Sequence, residues 1–295
     1  GMDYALVCEA APVALPFADI VWPDAWELPW LNTSDAQLKQ LYGEPFYTNE
    51  KGALSGINEA YWAGMHAMEN EVLFELTGEN PENRLFGRYD DSEVRDRLDA
   101  ARILPGLAAR GYPEPTLSLS CADPADQRIC LFAGEASRDR LLLEVRLQLS
   151  LFHPRQPIGP FTEESSFRML VIHWLVLSDP DASFTVDRPR LPGQERPGLG
   201  LLAETLSLLS TFSRELGVDG VLDVPDHFHT ALFYSTVFRY LDPAAEGRFQ
   251  AIARDLSGVP LALASDAIRE GCLVNRDTGT PMEWPVAEQV MAMRG

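Results

Sequence analysis

Within seven residues, Asp223, Asp226, His227 and His229 bring two carboxylates and two imidazoles to one turn between a strand and a helix. Such groups ligate Zn²⁺ or Fe²⁺ when they converge. Asp226 has a second use, as the N-cap of the helix that follows. Two residues apart on that helix, His227 and His229 would diverge by about 200°. An HExxH pair instead uses a spacing of four, which keeps both rings on one face. The pattern therefore favours a capped turn over a metal centre.

A second group of residues suits anion binding. The run LPGQERPGLG (191–200) enters an expected helix, and over 187–200 Arg188, Arg190 and Arg196 outnumber Asp187 and Glu195. Backbone N–H groups at a helix start point outward, unpaired, at the positive end of the dipole. Gly198 and Gly200, on either side of Leu199, let a diphosphate approach that backbone closely. No G-x-S-x-G elbow, P-loop or dinucleotide fingerprint follows any expected strand. Cys8, Cys121, Cys130 and Cys272 show no metal-ligand spacing. Cys121 and Cys130 can face each other across a hairpin, but free buried thiols are the expectation.

The elements that must hold these residues follow from hydrophobic periodicity. Residues 117–121, 128–133, 140–152 and 167–177 read as strands of an antiparallel meander, the first two joined by the turn ADPADQ. In the third, Leu143, Val145, Leu147, Leu149 and Leu151 alternate with Glu144, Arg146, Gln148 and Ser150, which read as the polar face. A helix over 200–216 carries Leu202, Leu206 and Leu209 on one face and closes at Gly217. A short strand (220–224) precedes a helix from Asp226 to Asp242-Pro243, and that pair starts another helix through Leu256. Residues 259–264 read as a strand and 275–279 as a hairpin, with a final helix from Pro285. Upstream, Asn58 caps an expected helix over 58–77, and Ser92 caps one that runs to Pro105. Trp22, Trp26 and Trp30 lie in a proline-rich stretch that reads as an irregular arm, its tryptophans closing a core edge or lining a pocket.

From strand to loop, helix, short strand and helix, residues 117–241 resemble the GNAT superfamily of N-acetyltransferases. In that family an antiparallel sheet leads through an Arg/Gln-x-x-Gly-x-Gly/Ala loop into a helix, then a short strand and a helix ending in an aromatic pair. Gly198 and Gly200 match the loop glycines, 220–224 the strand, and Phe233-Tyr234 the aromatic pair. Glu195 stands where the loop has Arg or Gln, His227 and Thr230 replace the helix's Asn and Ala, and no Gly-Phe pair follows Tyr234. The resemblance implies an α+β fold with a GNAT-like mixed, largely antiparallel sheet flanked by helices. A helical and irregular portion over 1–112 would pack on a body over 113–295. It further implies transfer of an acyl group from acetyl-CoA to an amine of a small molecule. Arg196, Gly198, Leu199, Gly200 and Leu201 would hold the cofactor, Tyr234 would protonate the departing thiolate, and His173, at mid-strand, would deprotonate the amine. Glu144 is a second candidate base. A GNAT-like scaffold that binds a ligand or protein partner without catalysis is the alternative, favoured by Glu195 beside a diphosphate.

Composition narrows the partners. The 295 residues carry 44 acidic and 24 basic side chains, a formal charge of −20. That excess opposes nucleic acid and anionic membranes, which present dense negative charge. No stretch approaches the ~18 apolar residues of a spanning helix, and the start has no basic n-region, so a cytoplasmic protein is the expectation.

Overall fold

The computed structural model describes residues 4–6, 83–154, 161–162, 164–276, 278–284 and 286–293. They form a mixed α+β protein with a largely antiparallel sheet. The helix expected at 58–77 and the tryptophan-rich arm lie outside the described residues. Two compact units divide the chain. The first runs through Arg188 and takes up again over Gln194–Val224 and from Val290; the second holds Pro189–Gly193 and Pro225–Gln289.

The first unit opens with α1 (Asp91–Ala100) and α2 (Ile103–Ala108). Asp90, not Ser92, caps α1. Its carboxylate accepts from the Glu93 amide at 2.9 Å, and the Glu93 carboxylate accepts from the Asp90 amide at 3.0 Å. That reciprocity needs an acid three residues on, and Ser92 has Arg95 there. The chain breaks at Arg102, with φ 66°, rather than at Pro105. Pro105 falls in the first turn of α2, where a missing N–H leaves no bond unmade.

The meander is β2 (Thr116–Ser120), β3 (Gln127–Phe132), β4 (Leu141–Phe152) and β5 (Phe167–Leu177), each antiparallel to the next. Each lies within one residue of the expected strand. Its buried face carries Ile129, Leu131, Leu143, Val145, Leu147 and Leu149. The polar face of β4 departs from the expectation: Glu144 and Arg146 are half-buried, but Gln148 and Ser150 are buried, because β4 is covered on both faces toward its end. After β5 the chain loops into α3 (Leu202–Leu216), closed by Gly217 at φ 67°, and returns as β6 (Gly220–Asp223). A helical crossover is what a parallel return requires, and β6 is parallel to β5. Beyond β6 comes β9 (Gln289–Ala292), whose end is tied down by the Met293 amide donating to the Asp219 carbonyl at 2.9 Å. The tail therefore forms a strand where a helix from Pro285 was expected; Pro285 itself lies outside the described residues.

The second unit comprises α4 (Phe228–Tyr234), β7 (Arg239–Tyr240), α5 (Pro243–Asp255), α6 (Leu261–Arg269) and β8 (Leu273–Asn275), with β1 (Tyr4–Leu6) antiparallel to β8. Its core gathers Phe228, Phe249, Ile252, Ile268, Leu273 and Trp284. Asp242 caps α5 and Pro243 opens it, as expected. Three expectations give way here. His227, not Asp226, occupies the N-cap of α4, with no side-chain cap bond. That helix ends at Tyr234, where the Ser235 and Thr236 hydroxyls donate to the Leu232 and Phe233 carbonyls in place of a further turn. Residues 261–269 are a helix rather than the tail of a strand. Ala264, Ala267 and Ile268 recur at helical spacing in a run rich in Ala and Leu.

Candidate functional site

Two features of β5 set the geometry of the sheet site. Its ladder with β6 covers only Met169–Val171, so β5 continues to Leu177 beyond its parallel neighbour. Its register with β4 shifts: Arg146 faces Trp174 while Leu147 faces Ile172. His173 is the extra residue, which makes this a β-bulge. Bulges re-aim side chains that strict alternation would fix. The His173 Nε2 lies 2.7 Å from Oε1 of the buried Gln148 on β4.

The loop after β5 is a closed excursion with a built base. The Asp179 amide donates to the Pro197 carbonyl at 2.8 Å, and Arg196 Nη1 donates to the Pro180 carbonyl at 2.6 Å. Tyr112 donates to Asp179 Oδ1 at 2.6 Å, and Arg140 pairs with Asp181 at 2.7 Å. Burial pushes the Tyr112 phenol up, and the Asp179 bond reinforces it, so this clasp stays protonated. Arg196 thus ties one nitrogen to the loop's own frame, while its Nη2 lies 3.5 Å from Asp139 Oδ1. Glu195 pairs with Arg138 at 2.9 Å, with both side chains largely exposed.

From that base the chain passes through Gly198, Leu199, Gly200 and Leu201 into α3. Leu199 and Leu201 are buried and pin the turn, and Gly200 takes φ 67°. The hydrogen bonds of this stretch use its carbonyls: Arg188 donates to Gly198 and Arg110 to Gly200, the latter at 3.3 Å. Among the described residues, none accepts from the N–H groups of Gly198, Leu199, Gly200 or Leu201. Backbone donors with two arginines nearby can hold an anion. On the meander, Arg146 and Arg128 hold Asp126 by hydrogen bonds that overcome its burial and lower its pKa to about 2. Glu144 is half-buried opposite Cys130. Neither Cys121 nor Cys130 is in a disulfide among the described residues, and burial pushes each thiol up to about 11.

Tyr234 and the two histidines belong to the second unit. Tyr234 is buried and stacked on Phe238, with ring centroids 5.3 Å apart. His227 and His229 stack at 5.3 Å and 14° instead of diverging, because His227 is extended (φ −127°, ψ 149°) and lies outside the helix. Burial lowers His227 to about 4 with help from Arg269, and lowers His229 to about 3 with help from His227. A β-carbon on Gly193 would come within 2.9 Å of His227 Nε2, so the glycine is what admits that ring. No group of three or more His, Cys, Asp or Glu side chains among the described residues is arranged to hold a metal.

Structure therefore sets Gly198 against the end of β5, where a β-carbon would stand 3.5 Å from the Leu177 carbonyl, on the same strand as His173. The residue that sequence reasoning missed is Gln148, read as part of a solvated face. The clasp of Tyr112, Asp179, Asp181 and Arg140 was missed as well, since nothing in the spacing of those residues signals it. No helix among the described residues is long and apolar enough to cross a membrane. Compared with protein-family models, curated proteins and solved structures, the chain matches none.

Proposed function

We propose that this protein is a GNAT-like acyl-CoA-dependent N-acetyltransferase acting on an amine of a small molecule in the cytoplasm. The observation that carries the reading is the loop at Gly198–Leu201. Its carbonyls are engaged by protein groups while its N–H groups have no acceptor among the described residues. It opens a helix between a strand and that strand's parallel neighbour. The pyrophosphate of acetyl-CoA would rest on those amides. Glu195, the departure that opposed such binding, is paired with Arg138.

In the reaction, the amine nitrogen attacks the thioester carbonyl, and His173 takes the proton that the nitrogen sheds. Amides of β5 beyond its pairing with β6 polarise the carbonyl oxygen. The tetrahedral centre then collapses, the C–S bond breaks, and a proton from Tyr234 neutralises the thiolate. The role of Tyr234 rests on the resemblance alone.

Calorimetric titration with acetyl-CoA tests the reading, and a chelated sample serves as control. Saturable micromolar binding is expected. No binding at millimolar ligand would overturn the assignment and leave the scaffold reading standing.

A further inference from the structure

We infer that Gln148 is the positioning residue for His173, fixing its imidazole as the Nε2–H tautomer and leaving Nδ1 as the basic nitrogen. The inference rests on the reading of His173 as the base. An amide oxygen can only accept a hydrogen bond. Oε1 of Gln148 lies 2.7 Å from His173 Nε2, so that nitrogen carries the proton. In a neutral imidazole the other nitrogen then holds the lone pair.

Three observations make this more than a chance contact. Gln148 is fully buried (0% exposed), on a strand face whose neighbours Glu144 and Arg146 are half-buried. The bulge adds one residue to β5 opposite the Arg146–Leu147 step, and that extra residue is His173. The pairing of β5 with β6 ends two residues earlier, at Val171, so the imidazole is anchored where the strand leaves its parallel neighbour. A buried primary amide lies beside the one histidine that the register shift re-aims. The Gln148 Nε2 has no partner among the described residues, so the amide's hydrogen bond to protein is the one to His173.

Long-range ¹H–¹⁵N NMR on the intact, ¹⁵N-histidine-labelled protein reads the tautomer without any acyl-CoA. The wild type is expected to show His173 protonated at Nε2, and Gln148→Leu a mixture of tautomers. A wild-type ring protonated at Nδ1, or a tautomer unchanged in Gln148→Leu, overturns the proposal. The former is also what a reversed Gln148 amide would produce. Should Gln148→Leu fail to fold, the wild-type spectrum and Gln148→Glu decide.

With acetyl-CoA and a panel of primary amines, Gln148→Leu is expected to lower kcat about 10-fold with KM little changed. Gln148→Glu should restore turnover and move the acid limb of the kcat/KM profile up by about one pH unit, since a carboxylate favours the imidazolium. An unmoved limb counts against positioning. Absence of acyl transfer in a wild type whose His173 is the Nε2–H tautomer would overturn the proposed reaction and leave the Gln148–His173 pairing intact.

Discussion

His227 and His229 sit face to face in a buried stack, and burial holds both below the ordinary imidazole pKa, at about 4 and about 3. In the unfolded chain both titrate near 6.5. As pH falls below 6.5, the unfolded state gains protons that the folded state refuses. The stability these rings contribute is therefore fully present above 6.5 and is lost progressively on acidification. Each histidine costs about 1.4 kcal/mol per pH unit until its own folded pKa is reached. Urea midpoints at pH 7.5 and pH 5 are expected to differ accordingly, and His229→Gln should flatten the difference by about half. Equal midpoints in the wild type would mean that the rings protonate freely in the fold. The sequence showed these histidines as neighbours, yet the stacking was not legible. It depends on whether His227 is the first helical residue or the extended one before it, a boundary that composition does not resolve. Gln148 was hidden differently: alternation names the face a residue takes, not whether that face is covered.

At the scale of elements, the strands of the meander were legible because leucine and valine alternate with polar residues over their whole length. The segment 259–264 was not, since a short apolar run fits either a strand or a buried helix. The bulge at His173 leaves no mark in composition, because it is a property of the pair β4–β5 rather than of either strand. The loop after β5 was legible through its glycines, and its geometry sharpens a prediction about it. A β-carbon at Gly198 makes an ordinary contact, 3.5 Å from the Leu177 carbonyl. Gly198→Asp is thus expected to fold with an unchanged thermal midpoint. It places a carboxylate beside the N–H groups that would receive a diphosphate, and acetyl-CoA affinity should fall by about 100-fold or more. Unchanged affinity would remove this loop from the cofactor site, even if binding occurs elsewhere.

For the molecule as a whole, the acidic excess and the local basic loop work at different ranges. A formal charge of −20 gives the molecule a net negative field at long range. Arg110 and Arg188, donating to the carbonyls of Gly200 and Gly198, make one short stretch an exception. The elements were legible from periodicity and the α+β class was implied by the resemblance, whereas the discontinuous make-up of the two units was not legible. The first unit is interrupted by Pro189–Gly193 and again by Pro225–Gln289, and it is completed only by the segment from Val290. Discontinuity of that kind is set by long-range pairing, which no local pattern records.

That interruption has a consequence for synthesis. β6 emerges from the ribosome while β9, its neighbour in the sheet, has yet to be translated, and all of Pro225–Gln289 must be made in between. A nascent chain therefore carries β6 with one edge waiting. Contacts so distant in sequence form late and slowly. Chains stalled with Glu288 as the last residue outside the tunnel are expected to be cut by protease at the sheet. Chains in which Met293 has also cleared the tunnel, and can close onto Asp219, should resist. Equal resistance at both lengths would mean that the meander secures itself before its last strand arrives.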